Sequence, residues 1–125
     1  ILSCLRGKNP EISSPEFVRD FIYIEDVIDL YEHLPDARVI PGNIFNAGSG
    51  KQHTVGEVVD SIIRITGNQV KPVVGLPRRW PNEPKSWQAD MSRTLTSLNW
   101  APKYDLDAGL KKSVEWFENH QQLYP

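Results

Sequence analysis

Apolar residues follow two patterns along the chain. Short, nearly unbroken apolar runs predict three strands, at residues 21–24, 43–47 and 70–74. Apolar residues three and four positions apart predict four helices, which begin near residue 26, at 54, just after 90 or 92, and at 105. The third of these helices is expected to bury Leu95 and Leu98. The strand–helix–strand–helix order predicts an α/β layer arrangement.

Polar residues at the helix ends refine these boundaries. Asp26 is a candidate N-cap for the first helix, and Asp105 can cap the last one. Thr54 followed by Glu57 three residues later predicts a capping box, and Gly67 suits the position just beyond the end of that helix. The helix from 54 to 67 is therefore the best-defined element of the sequence.

Three short strands are few for an independent sheet. Residues 21–24 and 43–47 resemble parallel central strands that are buried on both faces, and we expect no other segment of the chain to cover them. Pro72 lacks a backbone donor and places the run at 70–74 at a sheet edge. Residues 77–86 are expected to form a long irregular loop. The chain begins in mid-pattern without an initiator Met, so we expect it to be part of a larger protein.

Composition limits the possible function classes. The 125 residues are 39% hydrophobic and 24% charged, as in an ordinary globular domain. A net charge of -2 predicts neither a nucleic-acid nor a membrane partner, and no apolar run approaches membrane-spanning length. Cys4 is the only cysteine, which predicts a reducing cytoplasm. No His or Cys pair has metal-ligand spacing, so we predict no metal site.

Two loops carry candidate chemistry. The Gly-Ser-Gly-Lys run at 48–51 lacks the rest of a phosphate-loop pattern, and a strand-ending turn is the favoured interpretation. Arg78 and Arg79 could instead grip a diphosphate through paired charge-assisted bonds, with Trp80 and Trp87 stacking on a base or sugar. A solvated arginine pair is equally compatible with the sequence. A single-strand nucleic-acid binder is least favoured, given the acidic pI of about 5.9.

Four segments in a fixed order resemble the NAD-dependent nucleotide-sugar epimerase/dehydratase family of extended short-chain dehydrogenases/reductases. They are residues 18–27, 44–50, 77–79 with 88–92, and 98–102 with 110–117. The resemblance covers nearly the whole chain and implies a Rossmann-type α/β fold. It assigns 1–50 to a remnant of the dinucleotide-binding domain, including the last strands of its parallel sheet. Residues 51–125 would form the small α/β substrate-binding lobe.

The resemblance also implies substrate-binding roles. The arginine matching Arg19 binds the diphosphate or base region of the nucleotide sugar, and Arg79 or Arg78 grips the diphosphate. Glu83 best matches the acidic residue that bonds the ribose hydroxyls, and Asn46 lies on the strand that reaches the substrate cleft.

The same resemblance implies that the chemistry lies outside this chain. The family's glycine-rich fingerprint and its Tyr-x-x-x-Lys pair are absent, so no catalytic or cofactor-binding residue is assigned here. The parent enzyme would use NAD to interconvert or dehydrate UDP-, GDP- or dTDP-sugars through a keto intermediate. The chain alone is expected to be inactive, and the alternative is a non-catalytic nucleotide-sugar-binding or interaction module. Exposed strand edges predict a homo-oligomer, formed through strand exchange in the isolated chain.

Overall fold

The computed structural model describes residues 1–36, 42–75 and 82–125. Nine helices and strands lie within these ranges: α1 (Leu2–Leu5), β1 (Glu11–Ile12), β2 (Val18–Asp20), α2 (Ile24–His33), β3 (Gln52–Thr54), α3 (Val55–Thr66), β4 (Val73–Val74), α4 (Ser92–Leu98) and α5 (Leu106–Asn119). Single 3₁₀ turns follow α2 and α5, at Leu34–Asp36 and Gln121–Leu123.

The strands form two small pairs. β1 pairs with β4 in parallel, with Glu11 opposite Val73. β2 pairs with β3 antiparallel, with Arg19 opposite His53. Val18 also forms a parallel bridge to Ser86, so the segment around Ser86 runs along the other edge of β2. The prediction of an irregular loop through residue 86 was therefore wrong at its C-terminal end, because backbone hydrogen bonds tie this stretch to β2.

The predicted capping box is confirmed. The N–H of Glu57 donates to Thr54 Oγ1 at 3.0 Å, and the N–H of Thr54 donates to Glu57 Oε2 at 2.7 Å. Gly67 ends α3 with a left-handed φ of 69°, and Asp105 caps α5 through the N–H of Ala108 at 2.8 Å. These ends were predictable because each is fixed by residues close in sequence.

The prediction that Asp26 caps the first helix was wrong. Tyr23 is the N-cap of α2, and Asp26 lies in the first turn with none of its surface exposed. Its carboxylate accepts hydrogen bonds from the N–H groups of Lys103 at 2.8 Å and Tyr104 at 3.2 Å. Asp26 therefore fixes the segment before α5 against α2.

Two predicted strands are not strands in the structure. Residues 21–24 divide between an extended stretch and the start of α2, and residues 43–47 pair with no strand in the described parts of the chain. The third, at 70–74, is reduced to the two residues of β4, after Pro72. Strand assignment requires a ladder partner, which an apolar run does not supply by itself.

Buried side chains form two clusters, and each draws residues from both sides of position 50. One contains Cys4, Val58, Ile62 and Val70, beneath α3 and α5. The other contains Leu30, Met91, Leu98 and Trp100, between α2 and α4. Leu98 is buried as predicted, but Leu95 is 46% exposed, so that part of the prediction was wrong. No helix within the described ranges has the length and hydropathy needed to cross a membrane.

Candidate functional site

Arg19 is held at the centre of β2 by groups on both sides of its guanidinium. Nη1 donates to the carbonyls of Val18 at 2.7 Å and Lys85 at 3.3 Å, and Nη2 forms an ion pair with Glu83. The guanidinium carbon lies 5.2 Å from the centre of the Phe17 ring and 5.6 Å from that of Trp87. These contacts fix the position of the cation because both charge and ring faces constrain it.

The backbone of residues 85–87 explains how Glu83 and Trp87 reach Arg19. The N–H of Val18 donates to the Lys85 carbonyl at 2.8 Å, and the N–H of Trp87 donates to the Val18 carbonyl at 3.0 Å. This register sets Trp87 beside β2, where 58% of its surface remains exposed. The result is a fixed cation next to an accessible aromatic ring.

A cleft of about 560 Å³ opens at this point, within the size range of small-molecule sites. Its walls come from β2, from the 47–48 turn and from the segment after Glu83. The lining residues are Arg19, Asp20, Ala47, Gly48, Ser86, Trp87, Gln88 and Ala89. We call it the Arg19 cleft.

Asp20 holds the back wall of the Arg19 cleft together. Oδ1 accepts from the N–H of Ser49 at 2.7 Å and its hydroxyl at 2.6 Å, while Oδ2 accepts from the N–H groups of Gly50 and Ala89, each at 3.0 Å. Partial burial raises the pKa of Asp20, but these hydrogen bonds outweigh burial and leave the pKa below its ordinary value. Asp20 therefore binds its neighbours as a carboxylate.

The Gly-Ser-Gly-Lys run is a turn bound to Asp20. Its Ser49 and Gly50 N–H groups, which a phosphate loop would aim at a ligand, are directed at the Asp20 carboxylate. Gly48 has no room for a side chain, since a Cβ there would lie 2.5 Å from Ala89 Cβ and 2.8 Å from Asp20 Oδ2. This geometry agrees with a turn rather than a phosphate loop, but the residues before it, 43–47, do not form the strand that the turn was predicted to end.

The five predicted site residues are only partly brought together. Arg19 and Glu83 are in direct contact. Asn46 is exposed and donates through Nδ2 to the Asp90 carbonyl at 2.9 Å, beside the turn that lines the cleft. Arg78 and Arg79 lie outside the described residues.

Sequence reasoning missed a larger cleft of about 820 Å³ that lies beyond Gln88. Gln88 and Ala89 line both clefts, and Gln88 Nε2 donates to the Gly50 carbonyl at 2.6 Å. Lys51 and His53 line one part of the larger cleft, and Lys103 lines another. No pattern in the sequence predicted this cleft because its walls come from four separate segments, at residues 21, 49–53, 88–95 and 101–106.

Glu25 stabilises the fold outside both clefts. Its carboxylate accepts from Lys112 Nζ at 2.7 and 2.9 Å and from the Tyr104 hydroxyl at 2.7 Å. The Lys112 and Tyr104 hydrogen bonds lower the pKa of Glu25. Across the described ranges, no three His, Cys, Asp or Glu side chains form a group that could hold a metal ion.

Known proteins resemble the chain in both sequence and fold, although no family model matches it. A probable UDP-arabinose 4-epimerase of Arabidopsis thaliana is 30% identical over 122 residues, which are 96% of this chain and 29% of that protein. UDP-glucose 4-epimerase from Thermotoga maritima, solved with UDP-glucose, is 30% identical with a TM-score of 0.87, covering 96% of this chain and 38% of that one. UDP-glucuronic acid 4-epimerase from Bacillus cereus, solved with NAD, is 26% identical with a TM-score of 0.84, covering 98% and 38%.

These similarities confirm the α/β fold class as that of the Rossmann-type extended short-chain dehydrogenases/reductases. Within this class, the curated proteins that the chain resembles over nearly its whole length are nucleotide-sugar epimerases and dehydratases. The chain spans about a third of the length of the curated relatives that it matches.

Proposed function

We propose that this chain is the nucleotide-sugar-binding portion of an NAD-dependent epimerase or dehydratase. The observation that carries this proposal is the Arg19 cleft, which is lined by a fixed guanidinium and an exposed indole ring, with the Glu83 carboxylate paired to that guanidinium. A nucleoside diphosphate offers matching chemistry: anionic oxygens for the cation, hydroxyls for the carboxylate and a flat base for the ring.

Each predicted site residue has a proposed role in this scheme. Arg19 binds the diphosphate or the adjacent base region, and Glu83 accepts hydrogen bonds from the ribose hydroxyls. Arg78 and Arg79 supply further charge for the diphosphate, and Asn46 borders the sugar. The ion pair between Arg19 and Glu83 supports a joint role because one ligand could contact both partners.

The parent enzyme would oxidise a sugar hydroxyl with NAD and return the hydride after epimerisation or elimination. NAD would be bound by a portion of the fold outside this chain, since the sequence contains no glycine-rich fingerprint and no Tyr-x-x-x-Lys pair. We therefore propose that the chain alone is inactive. Measurable turnover of UDP- or dTDP-sugars with added NAD would contradict this.

Calorimetric titration with UDP tests the role of Arg19. Arg19→Ala should weaken binding about 10- to 100-fold because hydrogen bonds to charged groups contribute about 1.5–3 kcal/mol. Arg64→Ala is the matched control, since it removes an exposed arginine paired with Asp107 at 3.0 Å. Unchanged UDP affinity in a folded Arg19→Ala variant would refute the proposed site.

Comparison of UDP with dTDP tests the role of Glu83. UDP presents two ribose hydroxyls, whereas the deoxyribose of dTDP presents one. Glu83→Ala should therefore weaken UDP binding more than dTDP binding. An equal loss for both nucleotides would indicate that Glu83 acts only by positioning Arg19.

A non-catalytic nucleotide-sugar-binding or interaction module is the second candidate. Two observations favour this candidate: the Arg19 cleft is present, and the Tyr-x-x-x-Lys pair is absent from the sequence. An open reading frame that continues upstream through a glycine-rich fingerprint and a Tyr-x-x-x-Lys pair would decide for the enzyme. The assignment of 1–50 and 51–125 to two lobes, the homo-oligomeric state and the cytoplasmic location remain predictions.

A further inference from the structure

The larger cleft lies where the two buried clusters meet. Phe21 and Leu106 line it and pack against the cluster beneath α3 and α5, whereas Met91 lines it from the cluster between α2 and α4. Leu95 also lines the cleft and is 46% exposed, so apolar surface is accessible there. The volume of about 820 Å³ falls within the range of small-molecule sites. The cleft therefore offers an apolar floor to a ligand with an apolar body.

Basic side chains border this floor, and they differ in whether they are paired. Lys103 forms an ion pair with Asp29, and His53 Nδ1 lies 4.0 Å from Glu57 Oε2. Lys51 is exposed at the cleft, and no ion pair or hydrogen bond engages its ammonium group within the described ranges. Lys51 therefore carries a positive charge that is available to a ligand.

The two carboxylates that line the larger cleft already accept hydrogen bonds from their neighbours in sequence. Asp90 Oδ1 accepts from the hydroxyl of Ser92 at 2.5 Å and from its N–H at 3.0 Å. Asp105 Oδ1 accepts from the N–H of Ala108 at 2.8 Å. Because local donors hold both carboxylates, the ammonium group of Lys51 is the more accessible charged group for a ligand.

Gln88 belongs to a wall that the larger cleft shares with the Arg19 cleft. The carbonyl of Gly50 accepts from Gln88 Nε2 at 2.6 Å, and the N–H of Gly50 donates to Asp20 Oδ2 at 3.0 Å. Both polar backbone groups of Gly50 are therefore engaged, which fixes the wall. Arg19 lines only the cleft on one side of it and Lys51 only the cleft on the other, so each cleft has its own cation.

We propose that the larger cleft is a second binding site, which takes a small apolar monocarboxylate independently of the nucleotide sugar. A single free ammonium group matches a single negative charge, and the apolar floor matches an aromatic or aliphatic body. A nucleotide phosphate suits this cleft less well, because its additional charges would face Asp90 and Asp105. The inference goes beyond the proposed function, which concerns the Arg19 cleft.

Met91 provides a local measurement of binding. It is the only methionine of the chain and lines the larger cleft but not the Arg19 cleft, so an isotope-labelled methionine methyl group gives one NMR signal from this site. We expect both naphthoate and octanoate to shift this signal saturably, and naphthoate to shift it further because its ring current adds to the effect. An unchanged Met91 signal with both probes would overturn the proposal.

Competition with nucleotides tests whether the two sites are independent. The Met91 signal should stay shifted when saturating UDP or UDP-glucose is added to the naphthoate-bound protein, because the shared wall separates the clefts. Return of the signal to its ligand-free position would overturn the proposal, since the larger cleft would then belong to the nucleotide-sugar site.

Lys51 variants test the preference for a carboxylate. Lys51→Ala should weaken naphthoate binding about 5- to 10-fold and leave binding of neutral naphthamide unchanged, whereas Lys51→Arg should retain most of the naphthoate affinity. Lys111→Ala is the matched control, since Lys111 is exposed on α5 and lines neither cleft. Equal affinity for naphthoate and naphthamide, or an equal loss of both in Lys51→Ala, would overturn the assignment.

UDP titration separates this inference from the proposed function. Lys51→Ala should leave UDP affinity unchanged, because Lys51 does not line the Arg19 cleft. Failure of naphthoate to bind a protein that binds UDP would refute this inference alone. Failure of UDP to bind a protein in which naphthoate shifts the Met91 signal would refute only the proposed function.

Discussion

Replacement of Asp20 by asparagine tests how the wall of the Arg19 cleft is held. The Asp20 carboxylate joins the turn at 48–50 to the segment that carries Trp87 and Ala89, and it does so with four hydrogen bonds. Asparagine keeps the size and one oxygen but replaces the other oxygen with an NH₂ group. The variant therefore changes acceptor capacity with little change in volume.

The expected cost follows from the two possible orientations of the asparagine amide. With its nitrogen at the Oδ2 position, the N–H groups of Gly50 and Ala89 both lose their acceptor. With its nitrogen at the Oδ1 position, the Ser49 hydroxyl can reverse and accept, so only the Ser49 N–H is orphaned. Each orphaned donor costs about 1–3 kcal/mol, and the lost charge weakens the bonds that remain. We expect the free energy of unfolding to fall by about 2–5 kcal/mol.

Urea unfolding at pH 7, followed by tryptophan fluorescence, measures this change. Asp60→Asn is the control because Asp60 is exposed on α3. A decrease below about 1 kcal/mol for Asp20→Asn would refute the reasoning, since even one orphaned N–H predicts more.

The pH dependence of unfolding provides a separate check. The folded pKa of Asp20 lies below its ordinary value of 3.8, so its contribution is present above about pH 4 and is lost as the pH falls toward the folded pKa. Other carboxylates with lowered pKa values share the acid transition, among them Glu25 and Asp90. The stability difference between wild type and Asp20→Asn should therefore shrink below pH 4, and a constant difference would contradict the assignment.

Three further variants test local packing by the same unfolding measurement. Gly48→Ala should destabilise the chain by about 1–3 kcal/mol, because the new Cβ would lie 2.5 Å from the Ala89 Cβ. Adding Ala89→Gly should restore part of that loss. Additive effects of the two substitutions would contradict this clash. Thr54→Ala should cost about 1 kcal/mol while Thr54→Ser costs much less, because the hydroxyl caps α3. Thr94→Val should cost about 1–3 kcal/mol, because the buried Thr94 hydroxyl would no longer donate to the Asn46 carbonyl, and a neutral effect would contradict this.

The elements that were predictable from the sequence are those set by neighbouring residues. The capping box of α3, its glycine end and the Asp105 cap each depend on groups within four positions, which a linear pattern can register. The contact between Arg19 and Glu83 joins residues 64 positions apart. Both residues were predicted to bind substrate from the resemblance to a family, because no pattern of neighbouring residues connects positions so far apart.

The carboxylates Asp26 and Asp20 were misjudged for one physical reason, which is that each binds backbone donors far away in the sequence. Asp26 has the sequence context of a helix cap. Its carboxylate instead accepts hydrogen bonds from the N–H groups of residues 103 and 104, which lie 77 and 78 positions away. Asp20 is conspicuous in the sequence only as the neighbour of Arg19. It nevertheless makes more hydrogen bonds to the cleft wall than any predicted site residue that the structure describes. Buried carboxylates that bind distant backbone donors cannot be recognised before the fold is known.

The strand predictions failed in a more informative way. Residues 43–47 have the apolar character of a central strand, and their backbone is bonded on one edge, but the bonds come from the side chains of α4. An apolar sequence of this kind indicates that the segment is most stable when buried. A strand is defined by backbone hydrogen bonds to a neighbouring strand, and these depend on the partner as well as on the segment.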